Sequence, residues 1–524
     1  MSTSEKAVEN PVAAATFIAA TGEDHRSPQR PSITKSSKWV LAGTLFSKPI
    51  QLFTNILVAR LLGPASFGVL GLASSLAVTL SLVASLGFGD AIYKYLGEYY
   101  RTDRARGMQL ASVIVWTATL FTAVFLLLLW LTRGLWVDRL FPPATSTRII
   151  ALCLCLTLGN LLFALLVGAF SGLQRFREFT TINVLQAVAV ALFAVFLAFY
   201  GAEGAITAYA VGTFVAVCWG LWKVWQLEAE ILKWPGLSAF RSLKTILNFS
   251  MPIWIGAFAF APFVTFTLAF LARHPNGAYQ LGVFNTANGL RMLVALVPGA
   301  ISIAIAPAIM QEGGAHGEKS AYARLIDKSF SALVFLTLTL LIPSMFLSDL
   351  IFTLYGRAYQ GAFLLFIPLT ASAAISAIGG PLSIVMLAKN RTWWAFVFGF
   401  IKSALMVVLT VLWVPSSLAR GLTWAVVISE ISLNVLVLEF CIFIDALPRK
   451  LRVIFYSSSA IVLALMVSAI FMPKAVRWSL ALPLTAAVVI YYVRTHGETT
   501  VWLTSLIPAP LKPGAQRILG FIGT

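Results

Sequence analysis

The 524-residue chain is 59% apolar, only 11% charged, and carries a formal net charge of +18. A soluble domain cannot be that apolar, because its surface needs charge to remain dissolved, and too little mass lies outside the apolar runs for a folded soluble domain. Nor does the positive excess mark a nucleic-acid binder, since the basic residues concentrate in alternate breaks between apolar runs.

In chain order, residues 1–37 are polar, rich in Ser, Thr, Pro and Ala, and read as a disordered cytoplasmic tail. Val12 to Ala20 lacks a basic leader and is followed by Gly22-Glu23-Asp24-His25-Arg26, unlike a signal peptide. Fourteen apolar runs follow, each about long enough to cross a bilayer. They are Trp39–Arg60, Phe67–Phe88, Gln109–Leu131, Ile149–Phe170, Ile182–Tyr200, Ile206–Trp222 and Phe249–Leu271, then Leu281–Met310, Phe330–Phe346, Phe363–Leu387, Trp393–Trp413, Leu422–Phe443, Val453–Phe471 and Trp478–Val493. The predicted fold class is therefore all-α and polytopic. With the N-terminus inside, about 26 of the 38 basic residues fall on the cytoplasmic side and about nine outside, leaving Lys48, Arg291 and Lys402 within spans. Both termini are then cytoplasmic, and residues 495–524 form a second cytoplasmic tail.

The longest inside connection, at residues 227–247, places Ile231, Trp234, Leu237 and Phe240 at helical spacing among Lys and Arg, as in an interfacial amphipathic helix. It separates two similar halves. Phe46-Ser47-Lys48-Pro49-Ile50 in span 1 recurs as Phe249-Ser250-Met251-Pro252-Ile253 in span 7, and Gly68-Val69, Ala73 and Leu76 recur as Gly282-Val283, Ala287 and Leu290. Two matches in one order predict two six-span lobes, residues 38–226 and 248–445, with spans 13 and 14 (446–494) appended. Pro49 and Pro252 occupy equivalent places inside their spans, either as static kinks or as hinges.

Deep polar residues mark the candidate site. Thr44, Lys48, Gln51 and Asn55 follow helical steps along span 1, with Lys48 about 14 Å from its cytoplasmic end. Span 8 carries a second stripe of Asn285, Asn288, Arg291 and Ser302. These residues suit either a cationic cavity for phosphate or pyrophosphate, or pairing with acids on neighbouring helices, though spans 1, 2, 7 and 8 hold no deep acid. Lys402 and Glu430 lie at similar depth on adjacent spans and form an expected ion pair; alternatively Glu430, with Asn434 one turn on, is a proton or cation site. Glu439 lies nearer the cytoplasmic end, and Arg60 either snorkels to the outer interface or lines the cavity mouth. The four cysteines fall inside spans and the four histidines in tails or loops, so neither a disulfide framework nor a metal or cofactor site is expected.

Arg60-Leu61-Leu62-Gly63-Pro64 with Phe67-Gly68-Val69 resembles the Arg-x-Leu-Gly-Pro-x-x-(Phe/Tyr)-Gly signature of bacterial polysaccharide transporters. These form the oligosaccharide flippase branch of the multidrug/oligosaccharidyl-lipid/polysaccharide exporter superfamily. Gly282-Val283-Phe284-Asn285-Thr286-Ala287 and Leu354-Tyr355-Gly356-x-x-Tyr359 resemble further segments of that family. The resemblance implies two six-helix lobes around a cavity that opens alternately to each side, while the short outside loops and the lack of a catalytic cluster argue against a membrane enzyme such as a glycan ligase or polymerase. It implies a polyprenyl-pyrophosphate-linked oligosaccharide substrate, flipped across the bacterial inner membrane for surface polysaccharide assembly, with a polymerase and glycosyltransferases as functional partners and membrane lipids around the tail. Basic cavity residues would hold the pyrophosphate. A peptidoglycan-precursor flippase and a multidrug/cation antiporter of the same superfamily are the alternatives; antiporters rely on acidic cavity residues, whereas spans 1 and 8 here carry Lys48 and Arg291.

Overall fold

The computed structural model describes residues 33–100, 102–141, 146–313, 319–389 and 391–495, and nearly all of both expected tails lies outside them. Among the described residues every regular element is helical: α1 (Ile33–Ser85), α2 (Phe88–Tyr99), α3 (Arg104–Leu131), α4 (Arg133–Leu140), α5 (Thr147–Gly172), α6 (Phe176–Leu197), α7 (Gly201–Glu228) and α8 (Leu243–Ala272). Then come α9 (Gly277–Gly313), α10 (Lys319–Phe346), α11 (Ser348–Thr353), α12 (Phe363–Ile378), α13 (Gly380–Ala388), α14 (Thr392–Ser417), α15 (Ala419–Phe443), α16 (Lys450–Phe471) and α17 (Lys474–Thr495). A helix satisfies its backbone polar groups within the segment, which lipid requires. α1 starts at Ile33, so residues 33–37 belong to a helix and not to the expected tail.

Eleven described stretches are long and apolar enough to cross a membrane. Two of them far exceed one crossing: Phe46–Ser85 has 40 residues and Phe176–Leu232 has 57, or about 60 and 85 Å of helix against a hydrocarbon core of about 30 Å. Each is interrupted by glycine. Gly63 has φ 71 and ψ 169, a region that only glycine enters cheaply, and Pro64 follows it. It divides α1 into a first arm (33–62) and a second arm (64–85). The other stretch breaks at the 3-10 turn Ala198–Tyr200 and Gly201, with φ 75.

The connection expected to be one amphipathic helix is instead two 3-10 turns, Ala229–Leu232 and Leu237–Ser242. Pro235 has no N–H to continue a helix, and Gly236 takes φ 76. The apolar residues still dock. Trp234 packs edge-on to Trp116 at 5.1 Å and tilted on Phe240 at 5.4 Å, and the Trp116 Nε1 donates to the Lys233 carbonyl at 3.1 Å. Buried Glu228 fixes the start of this segment, accepting from Arg104 at 2.6 Å and from the Tyr100 hydroxyl at 2.7 Å. That hydrogen bond, then burial and the Glu228 charge, push the Tyr100 hydroxyl above its ordinary pKa.

Packing divides the buried side chains into three cores. One is confined to the first half and the start of α8, with Phe88, Leu96, Ile114, Phe170 and Ile246. Another lies within the second half, with Ile305, Phe330, Ile375, Leu438 and Phe455. The remaining core draws on both, joining Val58, Leu72 and Ala77 to Leu281, Ala287, Phe352 and Tyr359 around the Gly63 end. The halves thus share one core around the Gly63 end. α16 and α17 pack on α10 and α12. Ion pairs reinforce this: Asp327 with Lys450, Glu439 with Arg452, and Asp349 with Lys474 at 3.7 Å and Arg477 at 3.4 Å. Glu439 is held by Arg452 and by the Tyr456 hydroxyl at 2.9 Å.

Candidate functional site

The Gly63 end is built on glycine. Where the second arm of α1 crosses α9, a Cβ on Gly68 would lie 2.0 Å from the Ala278 carbonyl oxygen, and one on Gly282 would lie 1.8 Å from the Pro64 carbonyl oxygen. Both obstacles are backbone, so neither can swing aside. Small residues allow this close approach, the principal means by which helices associate in lipid. Around the crossing, the Tyr359 hydroxyl donates to the Ala59 carbonyl at 3.0 Å, and its ring meets Phe67 edge-on at 6.4 Å. The segments around Gly63-Pro64, Gly68, Gly282 and Tyr359 thus converge on one seal.

A second seam runs between α1 and α8. Thr79 Oγ1 contacts Thr265 Oγ1 at 2.7 Å, the Trp254 Nε1 donates to the Val83 carbonyl at 2.9 Å, and the Tyr95 hydroxyl of α2 donates to the Thr245 carbonyl at 3.0 Å.

Away from the seal one face of each helix is exposed while the other stays covered. Along α1, Phe46 and Phe53 are 67% and 65% exposed while Ser47 and Thr54 beside them are buried. On α9, Met292 is 55% exposed while Leu290, Arg291 and Val294 are buried. Lys48 is exposed on α1, with its Nζ donating to Gln51 Oε1 at 3.2 Å. Pro49 is beside it, exposed, and Pro252 is exposed on α8; helix continues through both. Asn55 turns toward the first half and accepts from the Tyr209 hydroxyl of α7 at 2.7 Å. The Thr44 side chain lies outside the described residues. Arg60 is exposed at the Gly63 end. Asn285 presses on Gly71, leaving its Nδ2 buried without a partner, and Asn288 is half-buried.

Arg291 is placed differently from Lys48. It is buried, and its guanidinium grips Glu430 of α15 through both oxygens, Nη1 to Oε2 at 2.8 Å and Nη2 to Oε1 at 3.1 Å. The expected pair of Lys402 with Glu430 is present, with Nζ 4.0 Å from Oε1, but it is second to the closer Arg291 fork. A planar guanidinium matches both carboxylate oxygens at once, while an ammonium offers one point charge. The acid absent from spans 1, 2, 7 and 8 arrives from span 12. Ser372 of α12 completes the cluster, receiving from Arg291 Nη1 at 3.2 Å and donating to Glu430 Oε2 at 2.8 Å. Sequence reasoning missed Ser372, for a lone serine in an apolar helix carries no signal. The Asn434 Nδ2 donates to the Glu430 carbonyl at 2.8 Å and to Ser376 Oγ at 3.1 Å, which fixes the helix turn. Two cations against one carboxylate leave the cluster with a net positive charge.

Among the described residues no group of three or more His, Cys, Asp or Glu could hold a metal ion. A cavity of about 430 Å³, lined by residues that include Arg148, Tyr200, Glu203 and Thr207, lies at the ends of α5 and α7 and involves none of the cations above.

Residues 33–312 match the family model described as "Polysaccharide biosynthesis protein". No curated protein matches the chain by sequence. Among solved structures, the lipid II flippase MurJ in an inward closed conformation matches with a TM-score of 0.69 at 14% identity, over 87% of this chain and 99% of that one. An inward-facing MATE family multidrug resistance transporter matches with a TM-score of 0.57 at 15% identity, over 82% and 98%. A superfamily transporter from Pyrococcus furiosus, described as having a binding pocket of reverse polarity, gives 0.52 at 14% identity, over 82% and 96%. Identities this low establish the common fold alone. Because the family model covers more than half of its residues, the chain belongs to the polysaccharide biosynthesis protein family, as a multi-pass membrane protein on the fold that MurJ and the MATE transporters share.

Proposed function

We propose that the chain is a flippase that carries a polyprenyl-pyrophosphate-linked oligosaccharide from the cytoplasmic to the outer leaflet of a bacterial inner membrane. The observation that carries this reading is the exposed Lys48 inside an apolar span, away from the glycine-sealed crossing of the two halves. An exposed ammonium inside an apolar span belongs in a wet cavity, since facing lipid would cost about 3 kcal/mol. Counting the two broken stretches as two passes each, and adding α9, gives fourteen crossings with both termini cytoplasmic. The Gly63 end then lies outside, and the cavity faces the side where glycosyltransferases load the lipid carrier. Six passes form each lobe, and α16 and α17 ride on the second. Pyrophosphate sits at Lys48 and Gln51, with the Arg291 cluster behind; the polyprenyl tail stays in lipid, and a polymerase receives the product. Pro49 and Pro252 serve as hinges at equivalent places in the two lobes. The likeness to a lipid II flippase supports a second reading, transport of a peptidoglycan precursor, but the family match favours the polysaccharide carrier.

Lys48 gives a clean test, because its described side-chain hydrogen bond goes only one turn along its own helix. Lys48→Ala in a deletion strain is expected to lower surface polysaccharide at least tenfold and strand lipid-linked glycan on the cytoplasmic face, while Lys48→Arg retains export, about 1.4 kcal/mol per tenfold in transition-state terms. Full export by Lys48→Ala removes this site.

A further inference from the structure

Glu430 sits between two cations that are not equally engaged. Its Oε1 lies 3.1 Å from Arg291 Nη2 and 4.0 Å from Lys402 Nζ, so a movement of about 1 Å exchanges one partner for the other at charge-assisted distance. The helix around it is fixed by the Asn434 hydrogen bonds to the Glu430 carbonyl and Ser376, which leaves the carboxylate itself as the part free to move. Two donors are idle in this arrangement. Arg291 Nε is buried without a partner, and Lys402 is beyond hydrogen-bond reach of the carboxylate while its side chain is 29% exposed. A purely structural pair has no use for a spare guanidinium N–H beside a second cation. An incoming phosphate at the guanidinium would release the carboxylate to Lys402, whose ammonium lies 4.0 Å away.

From this geometry we infer that Glu430 is a built-in competitor for the anionic group of the substrate: a phosphate or diphosphate takes the Arg291 fork, and the displaced carboxylate passes to Lys402. The exchange rests on the reading above that the hollow receives an anionic headgroup. It keeps Arg291 and Glu430 paired in both states, so an empty transporter does not carry a naked guanidinium through a buried position. It also sets a threshold. An anion must outbid a bidentate carboxylate to be held, which excludes singly charged anions and favours diphosphates. Ser372, which bonds to both Arg291 and Glu430, is placed to bond to whichever acceptor occupies the fork.

The test is calorimetric titration of inorganic pyrophosphate into the full-length protein in nanodiscs. Glu430→Gln, which removes the competitor, is expected to tighten binding about tenfold. Lys402→Ala, which removes the carboxylate's destination, is expected to weaken binding about fivefold in the wild-type background and to have no effect in the Glu430→Gln background. Equal weakening in both backgrounds overturns the exchange, because Lys402 then contacts pyrophosphate directly. Unchanged affinity in Glu430→Gln overturns the competition. Should Glu430→Gln not fold, Glu430→Asp, one methylene shorter and unable to reach both Arg291 nitrogens, takes its place with the same expected direction, and unchanged affinity overturns the idea equally. Lys48→Ala separates the underlying reading: binding that this variant leaves intact removes the anionic hollow itself. Binding weakened by Lys48→Ala yet indifferent to Glu430→Gln removes the competitor alone. Failure of both wild-type and Glu430→Gln protein to bind pyrophosphate removes both.

Discussion

Gly282→Ala should force the two halves apart at the Gly63 end and stop export. The added methyl would stand 1.8 Å from the Pro64 carbonyl oxygen, and Gly68 meets the Ala278 carbonyl from the other side, so the whole crossing must widen. Overpacking of this kind costs about 1–3 kcal/mol where side chains can adjust, and backbone cannot. A transporter has a cheaper escape, which is to adopt the state in which the crossing is already open. Spin labels at Ala65 and Arg357, both exposed at this end, would report the change as a shift of the interlabel distance to longer values. Gly71→Ala is the internal control, since its methyl meets only the movable Asn285 amide and should shift the distance far less. An unaltered distance distribution together with normal export in Gly282→Ala would show that the crossing is not a seal.

Arg291→Met is expected to destabilise the protein by about 3–5 kcal/mol, because it strands the Glu430 carboxylate in a buried position. Lys402, 4.0 Å away, draws the loss toward the lower end of that range. The informative comparison is the double variant Arg291→Met with Glu430→Leu. Replacing both members of a buried pair with apolar groups is often neutral, so most of the lost stability should return. Thermal unfolding of purified protein measures both. A single variant as stable as the wild type, or a double variant no better than the single, would contradict the pairing. Either way Arg291 cannot be read from export assays of alanine variants alone, since folding and binding fail together there, whereas Lys48 has no such entanglement.

The all-α membrane class was legible in the sequence, because hydropathy reports lipid exposure directly, whereas the close packing at Gly68 and Gly282 was not. What stayed hidden was which face meets which neighbour. The stripe of Lys48, Gln51 and Asn55 reads as one polar surface, yet Asn55 is spent on Tyr209 while Lys48 is open. Arg291 and Lys402 are equally plausible partners for Glu430 from depth alone, and only the guanidinium's bidentate geometry decides between them. The connecting segment misled in another way: apolar spacing at 231, 234, 237 and 240 fits a helix, but Pro235-Gly236 overrides the period.

The core shared by both halves has a bearing on biogenesis. During synthesis, Val58, Leu72 and Ala77 enter the bilayer long before Leu281 and Ala287 are made, so their packing partners do not yet exist. The early helices must wait with those surfaces turned to lipid or to an insertion chaperone. A chain cut in the Lys233–Gly236 connection should accordingly mature only when both pieces are produced together, each completing the other's unfinished interior.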